Sequence, residues 1–357
     1  MKQSHIILSI LLLLFLVSCN NEELDDFNFI EDVSEEIDNE DTTDDQEVSD
    51  DPNTGDDNDS NDDQEEENQD EENQDEDDTD QDFFLEEFVT PEGDIYYTGT
   101  TDCTSTGEYV IDPNKVLESL TISDDLPEEQ DLSSYLPPVD TQGQQGSCAS
   151  WATTYYLKSF QERIAAETTG INESIVFSPS YTYNQITQGI CEGTSYESNL
   201  EILKNKGAIS LGLFPYQDNT CSIQPTDAED QIAQDYKILD YFYLSGNNMV
   251  LEMKELIYTQ KPILIAAFLT SDFGEIDDFG LTAYREHIVD YSVPGACHGM
   301  LVVGYSDQYN AFKVVNSWGQ DWGDAGFVWI DYAAFENVSN PSSTFRVISQ
   351  AIVVEDL

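Results

Sequence analysis

The sequence predicts an α+β domain, because helical patterns come first along the chain and strand-like runs follow. Composition places that domain after residue 82. Between Glu22 and Asp82 there are 33 Asp and Glu and no Lys or Arg, whereas aromatic and apolar residues become frequent from Phe83 onward. Residues 149–167 lack Gly and Pro and carry Trp151, Tyr155, Phe160 and Ile164 at helical spacing. A second helix is expected over 198–206, closed by Gly207, and a third over 248–260, stopping ahead of Pro262. The apolar runs 263–267, 299–305, 311–315 and 327–330 then read as strands. Residues 126–357 are therefore the expected domain, a helical lobe packed on a sheet-rich lobe. Residues 83–125 form an extension that leads into it, with one cysteine, Cys103, and no long apolar periodicity.

The chain of 357 residues has a formal net charge of −62. Phosphate binding requires a basic surface, so this balance excludes nucleic acid as the default partner. The segment 19–82 is too poor in apolar residues to offset the entropy of ordering. It reads as a disordered acidic tether, on the order of 200 Å long when stretched at about 3.3 Å per residue. Asp56-Asp57-Asn58-Asp59 lacks the alternation, the Gly and the closing Glu of an EF-hand loop, so a solvated tether is preferred to a calcium site. At the start, Lys2 precedes an apolar run from Ile6 to Val17, too short to cross a bilayer as a helix. Its ending, Leu16-Val17-Ser18-Cys19, resembles the bacterial lipoprotein signal, with 1–18 removed and Cys19 lipidated. That resemblance implies a lipid anchor in the bacterial cell envelope, at the outer membrane or the cell surface.

Three short stretches carry the chemistry. In the first, Gln142-Gly143-Gln144-Gln145-Gly146-Ser147-Cys148, a glycine-rich turn delivers a cysteine to the start of a helix. The positive end of the helix dipole there favours thiolate. The second is Cys297-His298-Gly299, where a histidine opens an apolar strand, and the third is Asn316-Ser317-Trp318-Gly319 at a strand end. Each has an ordinary structural reading by itself: an inert buried thiol, a satisfied histidine, a turn.

Together the three resemble the papain-like cysteine peptidases, in the order Cys, His, Asn, over roughly 126–357. Phe177-Ser178-Pro179, Phe214-Pro215-Tyr216 and Lys261-Pro262 are smaller echoes. The resemblance implies a two-lobed fold with the active-site cleft between the helical lobe and an antiparallel sheet or barrel. Cys148 would be the nucleophile, His298 the base, Asn316 its orienter and Gln142 an oxyanion donor. Gly193, Thr194 and Trp318 would line the substrate site, and no metal or organic cofactor is implied. Ala149 stands where the family has Trp, Gln145 where it has Cys, and Thr194 where it has Gly.

Setting Cys19 and Cys148 aside leaves Cys103, Cys191, Cys221 and Cys297, which allow three connectivities in an oxidising compartment. Cys191 with Cys221 is the first expectation, leaving Cys103 with Cys297; four buried free thiols are the alternative. The expected function is peptide-bond hydrolysis by a monomer acting on peptide or protein substrates. The rival reading is a catalytically idle domain that binds peptides or partner proteins in the same cleft.

Overall fold

The computed structural model describes residues 84–103, 111–170, 172–244, 248–287, 295–336 and 346–357. The signal segment 1–18, the lipidation candidate Cys19 and the tether 19–82 lie outside the described residues. At the centre is the strand Ile263–Leu269, seven consecutive apolar residues that are all buried. A run without alternation has to be covered on both faces. It pairs antiparallel with Gly295–Ser306, placing Ala267 opposite His298 and Ile265 opposite Met300. Ala311–Val315 and Phe327–Asp331 continue the sheet on one side and Ile348–Asp356 and Ile238–Tyr243 on the other. The expected strands are all present; that of 299–305 is longer, reaching back to Gly295.

The helix expected over 149–167 runs without a break through Cys148–Ser150, Trp151–Lys158 and Ser159–Ala165. Its middle is a π-helix, which periodicity alone did not indicate. Thr153 supplies a local cause: its hydroxyl donates back to the Ala149 carbonyl at 2.8 Å, putting a side-chain oxygen into the backbone ladder. The helix lies against the strand Gly295–Ser306. At Gly299 a Cβ would stand 2.8 Å from the Tyr196 hydroxyl and 3.4 Å from the Ala149 Cα. Glycine thus lets the sheet, the nucleophile-bearing helix and Tyr196 meet at one point, where the Tyr196 hydroxyl donates to the Ile265 carbonyl at 2.7 Å.

The helix expected over 198–206 begins two residues earlier, at Tyr196–Asn205. Ser195 caps it by accepting from the Ser198 amide, and the Asp102 carboxylate takes the Tyr196 amide at 2.8 Å. That second cap comes from the extension. The helix expected over 248–260 is Met249–Tyr258. The described part of the extension packs onto the domain in the same compact unit. Phe84–Leu85 pairs parallel with Gly295 and Ala296, and Glu87–Val89 forms a hairpin with Ile95–Tyr97. Val116 bridges to Tyr243 at the sheet edge.

Candidate active site

The structure brings Cys148, His298, Asn316 and Gln142 together between the helical lobe and the sheet, and all four are completely buried. Cys148 is the first residue of its helix, and His298 lies on the strand Gly295–Ser306, next to the central one. His298 Nε2 is 2.7 Å from Asn316 Oδ1. That oxygen also accepts the Ser317 amide at 2.7 Å, which fixes it as the acceptor end of the side chain. His298 therefore carries its proton on Nε2 and presents a lone pair at Nδ1, which has no hydrogen-bond partner. The Trp318 ring lies over His298 with centroids 4.7 Å apart.

Gln142 is held from both ends of its amide. Its Oε1 accepts from the Ser317 hydroxyl at 2.6 Å, and Nε2 donates to the Gln145 carbonyl at 2.8 Å. The Tyr216 hydroxyl donates to the Gln142 carbonyl at 2.7 Å and takes a hydrogen bond from Ser147, the residue before the nucleophile. Ser317 and Tyr216 are supporting residues to which the sequence reading gave no role, although both stand in motifs it singled out. Cys103 is joined to Cys297 and Cys191 to Cys221, leaving Cys148 as the free thiol among the described cysteines.

Residues 98–103 of the extension cross this cluster as an extended strap. Thr100 pairs parallel with Thr194, the Thr194 amide donates to the Gly99 carbonyl at 2.9 Å, and the Thr101 amide reaches the Thr194 carbonyl at 3.4 Å. On the opposite wall the Gly99 amide donates to the Cys297 carbonyl at 3.2 Å. Glycine is required on both sides of this crossing. A Cβ at Gly193 would stand 2.2 Å from the Gly99 carbonyl oxygen, and one at Gly99 2.6 Å from the Gly146 Cα. The Thr100 amide donates to the Cys297 carbonyl at 3.4 Å and lies near enough to Cys148 to favour its thiolate. The Cys148 thiol accepts from the Gly299 amide at 3.4 Å. The hairpin ahead of the strap roofs the site: Phe88 and Tyr96 stack on Trp318, whose indole N–H donates to the Tyr97 carbonyl at 2.9 Å.

This cover sets the electrostatics. Burial pushes the Cys148 thiol up to about 12, against hydrogen bonds that favour its thiolate. Burial also lowers His298 to about 4, opposed by its bond to Asn316. Beneath the strap both groups are neutral at physiological pH. Asp102, two residues past Thr100, is pushed up to about 6 by burial, against bonds from Thr100, the Tyr196 amide and Gln350. The Glu197 charge pushes in the same direction, and Cys148 lies within the reach of the Asp102 charge.

The docked strap therefore favours protonated Asp102. Its hold is full below the ordinary carboxylate range near pH 4 and weakens as pH rises toward 6. In Asp102→Asn the side chain is neutral throughout. We expect the ratio of Cys148 alkylation rates, parent over Asp102→Asn, to climb roughly tenfold from pH 4 to 6.5, the steepest a single proton allows being tenfold per unit. Alkylation proceeds from the undocked state, where the thiol is away from Asp102, so its titration there cancels in that ratio. A flat ratio would remove Asp102 from control of the strap.

Among the described residues, no group of three or more His, Cys, Asp or Glu is arranged to hold a metal ion. The model of the papain family cysteine proteases matches residues 126–344. Cathepsin J of Mus musculus is 26% identical over 219 residues, covering 58% of this chain and 61% of its own length. The gamete and mating-type specific protein A of Dictyostelium discoideum is 28% identical over 200 residues, 56% of this chain and 41% of its own. The chain thus spans about three-fifths or less of these curated relatives. The solved structure of xylellain, a cysteine protease from Xylella fastidiosa, superposes with a TM-score of 0.57 at 21% identity. It covers 73% of this chain and 96% of its own, a likeness of fold. The family match takes in the helical lobe, most of the sheet and the buried cluster between them, and the chain belongs to the papain family of cysteine proteases.

Proposed function

We propose that the protein is a cysteine peptidase that hydrolyses peptide bonds through an acyl-enzyme on Cys148. The observation that carries the reading is the strap itself: the cleft over Cys148 already holds an extended peptide main chain by hydrogen bonds to Thr194 and Cys297. A substrate segment would take the strap's place. His298 Nδ1, the ring nitrogen with a lone pair, accepts the thiol proton as Cys148 attacks the scissile carbonyl. The same proton passes to the leaving amine, and water then cleaves the thioester. Asn316 keeps the imidazole in its Nε2–H tautomer. The remaining Gln142 amide proton and the Cys148 backbone N–H are the donors available to the developing oxyanion. Gly193 and Thr194 line the backbone-binding wall, and Trp318 shields the His298–Asn316 bond from water.

In this reading 1–18 is cleaved and the protein sits at the cell envelope by a lipid on Cys19, with 19–82 holding the domain away from the membrane as a monomer. From Phe83 onward the chain has 41 acidic and 11 basic residues, which favours basic peptides through electrostatic steering. The second reading is a peptide-binding domain without turnover, favoured by the neutral, covered thiol. Acid quenching during turnover of a peptide ester, followed by mass spectrometry, separates the two. The peptidase reading expects an acyl group on the peptide containing Cys148, absent from Cys148→Ser. Binding of the ester without any adduct or hydrolysis, once the strap is displaced, would support the second.

A further inference from the structure

The strap has a covalent fastening as well as hydrogen bonds. Its last residue, Cys103, is bonded to Cys297, immediately before His298 on the strand Gly295–Ser306. Its other end runs into the hairpin Glu87–Val89 and Ile95–Tyr97, whose Phe88 and Tyr96 are stacked on Trp318. Six residues are thus clamped at both ends across the nucleophile. Neighbouring contacts support the bonded end: the Ser349 hydroxyl donates to the Asp102 carbonyl at 3.0 Å and the Gln350 amide to the same oxygen at 3.1 Å. The second disulfide, Cys191–Cys221, ties two parts of the helical lobe and includes no residue of the strap. Only one of the two disulfides therefore joins the covering segment to the wall that carries His298.

We propose that the Cys103–Cys297 disulfide is a redox latch that keeps residues 98–103 over Cys148, and that its reduction by a dithiol unmasks the active site. This deepens the peptidase reading and rests on it for the consequence of unmasking. The reaction is a two-electron exchange. A thiolate of the dithiol attacks one sulfur and the other leaves as thiolate; the second thiol of the reductant then closes its own disulfide, and Cys103 and Cys297 end as two thiols. Before reduction, the strap can lift only as an arch pinned at both ends. Afterwards its far end is free of the wall, and the undocked state gains the conformational freedom that a cross-link removes. Cys103 and Cys297 are both almost fully buried, whereas in the other disulfide Cys221 is buried but Cys191 is exposed and offers a reductant a way in. Graded reduction thus opens Cys191–Cys221 first, and unmasking lags behind the first pair of thiols.

The test uses the full chain, purified without reductant, with iodoacetamide as the probe and mass spectrometry to locate the label. In the double variant Cys103→Ser with Cys297→Ser, Cys148 is expected to be alkylated about thirtyfold faster than in the oxidised parent. The double variant Cys191→Ser with Cys221→Ser is expected to keep the parent's slow rate. Dithiothreitol should bring the parent up to the rate of the unlatched variant, after Cys191 and Cys221 have already become thiols. Circular dichroism and the melting temperature establish that each variant is folded, and Cys103→Ser alone provides a second unlatched protein with the core cysteine intact. Folded unlatched variants that label at the parent's rate would overturn the latch. Peptide hydrolysis is followed in the same samples. Fast labelling without hydrolysis would leave the latch standing and remove the peptidase reading.

Discussion

In a Gly99→Val protein, Cys148 is expected to react with iodoacetamide about 100-fold faster than in the parent at the same pH. Gly99 sits at the tightest point of the strap, with φ at +135°, a conformation that a β-branched residue adopts only under strain. Its Cβ would also meet the backbone of Gly146, which lies in the turn that presents the nucleophile and has no flexible side chain to yield. Overpacking and backbone strain together cost about 3 kcal/mol. Nearly all of it falls on the docked state, since an undocked strap is under neither constraint. At about 1.4 kcal/mol per factor of ten, the open population rises about 100-fold. Gly212→Val is the control, because a Cβ there meets nothing within 4 Å and the position is outside the strap. Equal labelling of Gly99→Val and the parent, with both folded, would mean that the strap does not limit access to Cys148. The variant also tests the electrostatics, since the upward shift of Cys148 and the downward shift of His298 both come first from burial beneath this cover.

The parts legible in the sequence were those written locally. Cys148 after a glycine turn, His298 beside an apolar run and Asn316 at a strand end each combine a reactive side chain with a backbone signal within a few residues, although the strand of His298 begins three residues ahead of it, at Gly295. The central strand was equally plain, because Ile263–Leu269 is apolar throughout. What escaped depends on partners far along the chain. The strap, Thr98-Gly99-Thr100-Thr101-Asp102-Cys103, has no apolar periodicity, and its conformation is set by Thr194 and Cys297. The early start of the helix at Tyr196 follows from a carboxylate 94 residues upstream. The π-helix Trp151–Lys158 has an ordinary helical pattern of apolar residues, and a hydroxyl bonding back into the ladder leaves no periodic trace. The helix Asp227–Ala233 was missed for a different reason. Its seven residues are too few to show a stripe, and it rests on the reciprocal cap between Thr226 and Glu229.

Removing the base is expected to have the larger effect on turnover. Measured in the Gly99→Val background, so that strap opening does not limit the rate, His298→Ala should lower kcat/KM by about 10²–10⁴-fold. The argument rests on hydrogen-bond bookkeeping around the ring. Asn316 Oδ1 is committed as an acceptor by the Ser317 amide, so it can engage His298 only through Nε2–H. Nδ1 is then the basic nitrogen, and it has no hydrogen-bond partner. A buried lone pair left without a partner is costly, and a proton from the Cys148 thiol would satisfy it. With the strap displaced, water restores the imidazole toward its ordinary range and the thiol toward its own. Proton transfer from Cys148 to His298 then yields the reactive ion pair. The pH dependence distinguishes this role from a structural one. With His298 present, alkylation of Cys148 should already proceed below pH 7, whereas in His298→Ala it should rise only as an isolated thiol ionises, near pH 8.5 or above. A merely structural histidine would lower the melting temperature and leave that profile in place. If the profile of His298→Ala coincides with that of its parent, the base assignment fails, even though the ring stands beside Asn316.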